Sequence, residues 1–381
     1  MNKKLIALAI AAAIAPAAAM ADSGNVSVYG IMDASIDITD NGNSATAQGI
    51  RTTKVSSNQS RLGFKGTEDL GNGLSAVWQI ETAINADGTT ASNLNSRNTF
   101  VGLSSKTAGT AILGRHDTPY KLATRSLDYF VDGLADNRNL MGQGAAASFD
   151  GRPSDVVAYI SPTVSGMHAA VAYVAGAEGV TTSGNKKGNA WSMMGMYDNG
   201  PLMASLAYER HNIGTPGTGT LGGATALSID ADESEKAWKL GVGYKIMPAL
   251  QVGFAYEKTS DDFGKGGVAC GSGSTSSDCF GHKAYTLGGK YSMGSNDIKL
   301  AYTKAGDLGN SSKTNAKQWA LGLDHNLSKR TKVYALYTKL DNDTNAFYGL
   351  TGAGSNTTGL VSARGLGADP SAWSFGMRHS F

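Results

Sequence analysis

The stretch VSVYGIMDASIDI, residues 26–38, decides the fold. Its even positions, from Val26 to Ile38, carry apolar or small residues, whereas its odd positions include Ser27, Asp33 and Asp37. Successive side chains of an extended chain point to opposite faces, so this alternation predicts a β-strand with one apolar and one polar face.

Similar segments recur along the chain, about sixteen of them by the same test of alternation. We place them near 25–39, 59–69, 74–83, 97–104, 110–115, 152–161, 167–175, 190–198, 202–211, 236–246, 249–259, 282–293, 297–306, 317–327, 331–341 and 371–381. The connections alternate in length. Short turns such as LGNG at 70–73 are followed by long polar loops such as 116–151.

Two architectures use alternating strands of this kind. A soluble β-sandwich buries the apolar faces, but about sixteen strands of about ten residues are long and numerous for one. An outer-membrane barrel turns the apolar faces to lipid and the polar faces to a lumen, with short turns at one end and long loops at the other. The sequence therefore predicts an all-β, 16-stranded antiparallel transmembrane β-barrel with short periplasmic turns, long extracellular loops and an aqueous channel.

The N-terminus, residues 1–21, has the organisation of a secretory signal peptide. Lys3 and Lys4 form a basic region, Leu5 to Ala15 an apolar one, and Ala19-Met20-Ala21 a small-residue cleavage site. A membrane-spanning helix needs about 20 apolar residues and is the weaker interpretation. We expect the barrel to occupy residues 22–381.

Composition limits the partners of the protein. Charged residues make up 17% of the chain and the formal net charge is +2. No basic stripe accumulates, so nucleic acid is not an expected partner. Any electrostatic function must therefore be local.

Catalytic and metal-binding patterns are not evident. The chain has 6 His, on separate segments at 116, 168, 211, 282, 325 and 379. None belongs to an HExxH or a Ser-centred motif, although separate segments can converge in space. The sequence predicts no enzyme, no cofactor and no metal site.

The chain contains 2 Cys, Cys270 and Cys279, which bracket GSGSTSSD. In an exported protein this pair indicates a disulfide that closes one loop. A metal pair is the alternative, but no cluster of further His or Cys ligands lies nearby in the sequence.

Several stretches resemble the general porins of Gram-negative outer membranes, most closely those of β-proteobacteria. They are SVYGIMDAS (27–35), SRLGFKGTEDLGNGLSAVWQIE (60–81), RNTFVGLS (97–104), GRHDTPY (114–120), AYISPTVSG (158–166) and GMRHSF (376–381). The resemblance implies a homotrimer, a third long loop folded into the barrel, and recognition of the terminal Phe381 by the barrel-assembly machinery. The chain lacks the Pro-Glu-Phe-Gly segment of the enterobacterial branch.

Alternation and resemblance together predict a pore constriction. Leu62 and Phe64 would face lipid, which places Arg61, Gly63 and Lys65 in the lumen. The family pattern adds Arg97 and Arg152 as further wall arginines.

Alternation is less helpful at these two positions. An inward Arg97 also sends Val101 and Leu103 inward unless a bulge intervenes. Arg152 lies just before Pro153, where no alternation is yet established.

Acidic residues should oppose the arginines. We expect Asp128 and Asp132 on the inward loop and Glu81 on the wall to do so, whereas Lys121 and Arg125 on the loop could line the pore or belong to the solvated surface. The screening length in physiological salt is about 8 Å, so charges that line a constriction of similar width are not fully screened.

The expected function is a general porin for passive diffusion of small hydrophilic solutes and inorganic ions across the outer membrane, with a weak anion preference. A substrate-specific channel is one alternative, for which Tyr120, Tyr129 and Phe130 could line the path or could instead anchor the loop. A surface adhesin that uses loops such as 342–370 is another.

Overall fold

The fold is seen in a computed structural model, which describes residues 25–88, 97–176, 188–223, 226–265, 270, 277–309, 311–351 and 361–381. The expected signal peptide, residues 1–21, lies outside the described residues. Within the described ranges, no helix has the length and apolar character needed to cross a membrane.

Strands dominate the described chain. They are β1 (Val26–Asp40), β2 (Arg51–Ser57), β3 (Arg61–Gly71), β4 (Leu74–Ala83), β5 (Thr99–Ser105), β6 (Gly109–Arg115), β7 (Val156–Ile160), β8 (Met167–Val174), β9 (Asn189–Asn199), β10 (Leu202–Asn212), β11 (Gly217–Gly219), β12 (Leu227–Ile229), β13 (Ser234–Met247), β14 (Leu250–Asp261), β15 (Lys283–Met293), β16 (Asn296–Ala305), β17 (Ala316–Asn326), β18 (Thr331–Asn342) and β19 (Ser371–Ser380). The helical elements are α1 (Pro119–Leu122) and the 3₁₀ turns Arg125–Leu127 and Asn137–Asn139.

The sheet closes on itself. β1 pairs with β19 on one side and with both β2 and β3 on the other. β2 and β3 are two halves of one barrel strand, interrupted at 58–60, where Gln59 has a φ of +56°. The result is a closed 16-stranded antiparallel barrel, as the alternation predicted.

The two faces of the wall differ as expected. On β13, Trp238, Leu240 and Val242 are exposed, whereas Lys239 and Gly241 between them are buried. Apolar side chains that are exposed on a strand of a closed barrel face lipid, because the lumen is on the opposite side.

Outward-facing Tyr and Trp side chains form a row near the long loops, from β8 round to β19. Its members are Tyr173, Trp191, Tyr208, Trp238, Tyr256, Tyr285, Tyr302, Trp319, Tyr337 and Trp373. Neighbouring rings touch, for example those of Tyr208 and Trp238, whose centroids are 4.4 Å apart. Such aromatic girdles mark a membrane interface. The described outward face of β1–β7 carries no Tyr or Trp at this level.

The chain ends at the barrel seam. The backbone N–H of Phe381 donates to Gly30 O and that of Gly30 donates to Phe381 O. The Phe381 ring covers Gly30, at a position where a side chain would collide with it. The terminal residue therefore completes the pairing of the last strand with the first.

Some local expectations were wrong. Residues 51–57, which lie between the strands expected at 25–39 and 59–69, form β2. The segment RTTKVSS pairs with β1 even though nearly all of its residues are polar. The loop at 212–235 contains the hairpin β11–β12. The strand expected at 152–161 is confined to β7, since Pro153 lacks the N–H that pairing requires.

The third long loop, residues 116–155 between β6 and β7, lies inside the barrel as predicted, and is called the inward loop below. In the loop after β14, Cys270 and Cys279 form the predicted disulfide, with Cα atoms 5.1 Å apart.

Candidate functional site: the lumen constriction

A buried ionic network attaches the start of the inward loop to the wall. Thr118 caps α1, and Pro119 occupies its first turn. The Tyr120 hydroxyl donates to Glu257 at 2.7 Å, and the Lys239 ammonium lies 2.5 Å from Asp150 and 3.3 Å from Glu257. Because charges buried this deeply require partners, the network holds the loop in one position.

Glycines of the wall receive the apolar side chains of the loop. A Cβ at Gly241 would lie 2.9 Å from Leu127, and one at Gly322 would lie 2.7 Å from Phe130. Further wall glycines with the same role are Gly243 and Gly253 beneath Leu127 and Gly288 beneath Tyr129. Lumen-facing glycine therefore lets the loop backbone approach the wall closely.

Tyr120 and Phe130 are 0% and 3% exposed, and Tyr129 packs over Gly288. Of the alternatives that the sequence left open for these aromatics, the geometry favours anchoring of the loop over a line of rings exposed along the channel.

Arginines and aspartates form a compact cluster at the tip of the loop. Arg125 lies 2.9 Å from both Asp132 and Asp136, and Arg138 lies 2.8 Å from Asp136. Asp128 accepts from the backbone N–H groups of Phe130 and Asn137. The carboxylates thus point mainly into the loop itself.

Arg61 connects this cluster to the wall. Its guanidinium lies 3.1 Å from Asp132 and donates to Gln59 O. The side chain faces the lumen, as alternation along β3 predicted. It contacts the loop acid directly and does not oppose it across an open gap.

Arg97 also lies on the lumen side, next to Glu81 at 2.5 Å and Gln59 at 2.8 Å. In the register of β4 with β5, Glu81 would face Asn98, but the Arg97 N–H donates to Glu81 O instead. This one-residue shift is a bulge. Val101 and Leu103 consequently face lipid, at 57% and 49% exposure.

Arg152 and Lys121 share one carboxylate. Asp117 lies 2.9 Å from Arg152 and 2.7 Å from Lys121, and Arg152 also donates to Asn98. Lys65 is exposed and lies 5.2 Å from the Tyr29 ring centre. Among the described residues it has no acidic partner within salt-bridge distance.

Burial shifts the pKa values of the loop groups in different directions. Burial, reinforced by nearby Asp136, raises the pKa of Asp128 to about 7. Burial lowers the pKa of Lys121 to about 8 despite the opposing effect of Asp117. Burial would raise the pKa of Asp132, but Arg125 and Arg61 outweigh it and hold the value at about 2.

The structure thus places the residues predicted for the constriction on the lumen side of the wall or in the inward loop, and all of them except Lys65 lie in ion pairs or clusters. Sequence reasoning missed Asp117, Asp136 and Arg138, which complete these clusters. It also missed the role of the wall glycines. Their position on the lumen face was visible in the sequence, but what they accommodate was not.

Fold and site together define a membrane channel narrowed by its own loop. A family model described as Gram-negative porin matches residues 7–345. Outer membrane porin protein 32 of Delftia acidovorans is 31% identical over 100% of both chains. An outer membrane porin protein of Bordetella pertussis is 29% identical over 88% of this chain and 93% of its own.

A similar fold is seen in the solved structure of an anion-selective porin from Comamonas acidovorans. The TM-score is 0.70 at 26% identity, covering 93% of this chain and 99% of that one. The chain belongs to the Gram-negative porin family and is a β-barrel of the outer membrane.

Proposed function

We propose that the protein is a general porin for passive diffusion of small hydrophilic solutes and inorganic ions, with a weak preference for anions. The observation that carries the preference is a surplus of basic side chains along the lumen wall and the inward loop. Arg152 and Lys121 share Asp117, and Lys299 and Lys332 share Asp324.

The loop tip does not offset this surplus. Its carboxylates, Asp128, Asp132 and Asp136, are matched by Arg61, Arg125 and Arg138. Acid-rich groups do occur around Glu209 and Glu257, but these side chains are 2% and 0% exposed between loop and wall, whereas those of Arg152 and Lys332 keep 15% and 30% exposure. Only charges in contact with the water of the channel act on a passing ion at short range.

Arginine suits a permeation path because it stays charged and binds anions through a planar fork. The side chains of Arg61 and Arg152 keep 17% and 15% exposure while paired, so they can exchange partners with a passing anion. The similar porin from Comamonas acidovorans is anion-selective, which gives this proposal independent support from a related protein.

Reversal potentials in planar bilayers under a KCl gradient test the proposal. We expect Arg61→Ala, Arg97→Ala and Arg152→Ala in one chain to move the reversal potential toward cations. Arg51→Ala is the matched control, since that side chain is 85% exposed beside an extracellular loop. An unchanged potential in the triple variant would remove these arginines from the selectivity mechanism.

Solute flux separates a general porin from a substrate-specific channel. Uptake into liposomes should fall with solute size and should not saturate. Saturation of the flux by one solute would favour the substrate-specific channel. Binding of cells to the loop 342–370 would be a separate observation and would add an adhesin role. We expect purified protein to show no hydrolytic activity.

Further expectations concern assembly. We propose that residues 1–21 are removed on export, that the assembly machinery recognises Phe381, and that the barrel forms a homotrimer. The described outward face of β1–β7 has no Tyr or Trp at the level of the aromatic row, which supports the last point, because a surface covered by another subunit needs no interfacial Tyr or Trp there. Mass measurement of the mature protein and of its complex tests these proposals.

A further inference from the structure

Two thioethers and one imidazole meet on the lumen face of β8 and β9. On β9, Met194 and Met196 point into the barrel, whereas Met193 between Ser192 and Met194 is exposed on the lipid face. On β8, His168 points into the barrel and its neighbour Met167 points outward. The register pairs His168 directly with Met196. Three side chains with donor atoms for a metal ion are therefore neighbours on one face of two adjacent strands.

Strand geometry lets these three side chains reach a single ion. Residues directly opposite each other on antiparallel strands have Cβ atoms about 5 Å apart, and alternate residues on one face of a strand lie about 7 Å apart. Methionine is unbranched and has three rotatable bonds, so the sulfur atoms of Met194 and Met196 can both turn toward the imidazole of His168. The donors can thus converge without movement of the barrel wall.

The same three side chains line a cavity of about 280 Å³ beneath the start of the inward loop. Its other walls are mostly apolar and include Pro119 and Leu122 of α1. Met194 is buried, whereas His168 and Met196 are half-buried and remain within reach of the water in the channel. An ion can therefore enter from the lumen and be held in surroundings of low polarity.

The imidazole of His168 is available as a ligand. Within the described ranges of the chain it has no hydrogen-bond or salt-bridge partner. The other imidazole of the cavity, that of His116, is already engaged, because its Nδ1 donates to Asp117 O at 2.8 Å. Packing beneath the loop accounts for the two methionines, but it does not account for a half-buried imidazole without a partner.

The donor set favours a soft ion. Thioether sulfur selects Cu(I) and imidazole also binds copper, whereas Mg²⁺, Ca²⁺ and Mn²⁺ prefer carboxylate and carbonyl oxygen atoms. Among the residues that the structure describes, no group of three or more His, Cys, Asp or Glu is placed to hold a metal ion. A metal site in this cavity thus depends on its sulfur atoms, which favour Cu(I) over the hard ions.

We propose that His168, Met194 and Met196 bind a cuprous ion on the lumen wall, through one imidazole nitrogen and two Sδ atoms. Ag(I), a soft ion of the same charge, serves as a probe that does not change its oxidation state. A bound ion adds one positive charge beside the channel, so it should strengthen the preference for anions. The site itself does not depend on that preference, because its ligands lie outside the arginine clusters.

Titration of silver nitrate into the detergent-solubilised barrel, labelled with ¹³C-methyl methionine and followed by NMR, tests the site. In the native chain the methyl resonances of Met194 and Met196 should shift. Met194→Leu with Met196→Leu keeps the apolar volume and should weaken binding at least about tenfold, since even the outer-shell partners of metal ligands have effects of that size. The matched control, Met167→Leu with Met193→Leu, removes two thioethers from the lipid face of the same strands and should bind as the native chain does.

Variants of His168 separate metal ligation from packing. His168→Leu should weaken the binding of Ag(I), whereas His168→Met replaces one soft ligand by another and should retain most of the affinity. Cu(I) should displace the bound Ag(I), and Zn²⁺ should not. Unchanged binding in His168→Leu, an equal loss in the lipid-face control, or displacement by Zn²⁺ would overturn the proposal.

Currents through planar bilayers in potassium nitrate, which does not precipitate silver, connect the site with the channel. Added silver nitrate should move the reversal potential toward anions in the native chain, and should not move it in Met194→Leu with Met196→Leu. A shift that persists in this variant would overturn the site. A native chain without anion preference before silver is added would instead contradict the proposed function, so the two failures are distinguishable.

Discussion

The inward loop has two margins, and they are held by different forces. Toward β9–β17 it is fixed by buried apolar contacts on wall glycines and by the network around Glu257. Toward β3 its acidic contact is the partly exposed pair of Arg61 and Asp132. Burial fixes position, whereas a partly hydrated ion pair can exchange partners. We therefore expect the first margin to set the width of the channel and the second to set its selectivity.

Removing Glu257, which holds the inward loop against the wall, should have the largest effect on the position of the loop. Glu257→Ala leaves Lys239 with Asp150 alone and removes the acceptor of Tyr120 and of the Gly142 N–H. Breaking a buried pair costs about 3 kcal/mol or more, so the loop should leave the lumen far more often. Trypsin cleavage after Arg125 or Arg138 reports this exposure. The exposed Glu68→Ala is the control, and equal cleavage rates in the two variants would contradict the anchor.

Filling a wall glycine should have an intermediate effect. Gly322→Val pushes on Phe130, and overpacking of this kind costs about 1–3 kcal/mol. We expect noisier single-channel currents and faster trypsin cleavage of the loop. Adding Phe130→Ala should restore quiet currents, while Gly195→Val on the lipid face should leave them unchanged. A double variant as noisy as the single one would show that the glycine has another role.

Changing the margin toward β3, where Arg61 meets Asp132, should alter ion selectivity and leave the loop in place. Asp132→Asn removes a negative charge while Arg125 keeps Asp136, so the reversal potential should move toward anions at nearly constant conductance. Asp198→Asn, at an exposed position near a periplasmic turn, is the control. A large drop in conductance would mean that this margin also fixes the loop.

The pH dependence should be the smallest effect. Asp128, whose pKa burial raises to about 7, gains negative charge as the pH rises. Lys121, whose pKa burial lowers to about 8, loses positive charge. Both changes make the lumen less positive, so anion preference should fall between about pH 6 and about pH 9. The variant with Asp128→Asn and Lys121→Met should lose this dependence, and a rise in anion preference with pH would contradict the assignment.

The alternation of apolar and polar residues predicted the barrel, because successive residues of a strand face lipid and lumen in turn and these two surroundings require opposite polarity. It failed at β2, where RTTKVSS offers little contrast between the faces. The lumen position of Arg61 followed from the same rule. Arg97 did not follow from it, since a one-residue bulge reverses the rule and leaves no mark in the sequence.

The sequence by itself determined the barrel and its two faces, because these depend on local periodicity, whereas the identity of the loop that enters the barrel came from the resemblance to general porins. Only the tertiary structure decided which charges meet. Asp117 joins Arg152, and Asp132 joins Arg61, through contacts between segments far apart in the chain. Such pairings depend on where the loop crosses the lumen, and wall glycines on distant strands fix that crossing.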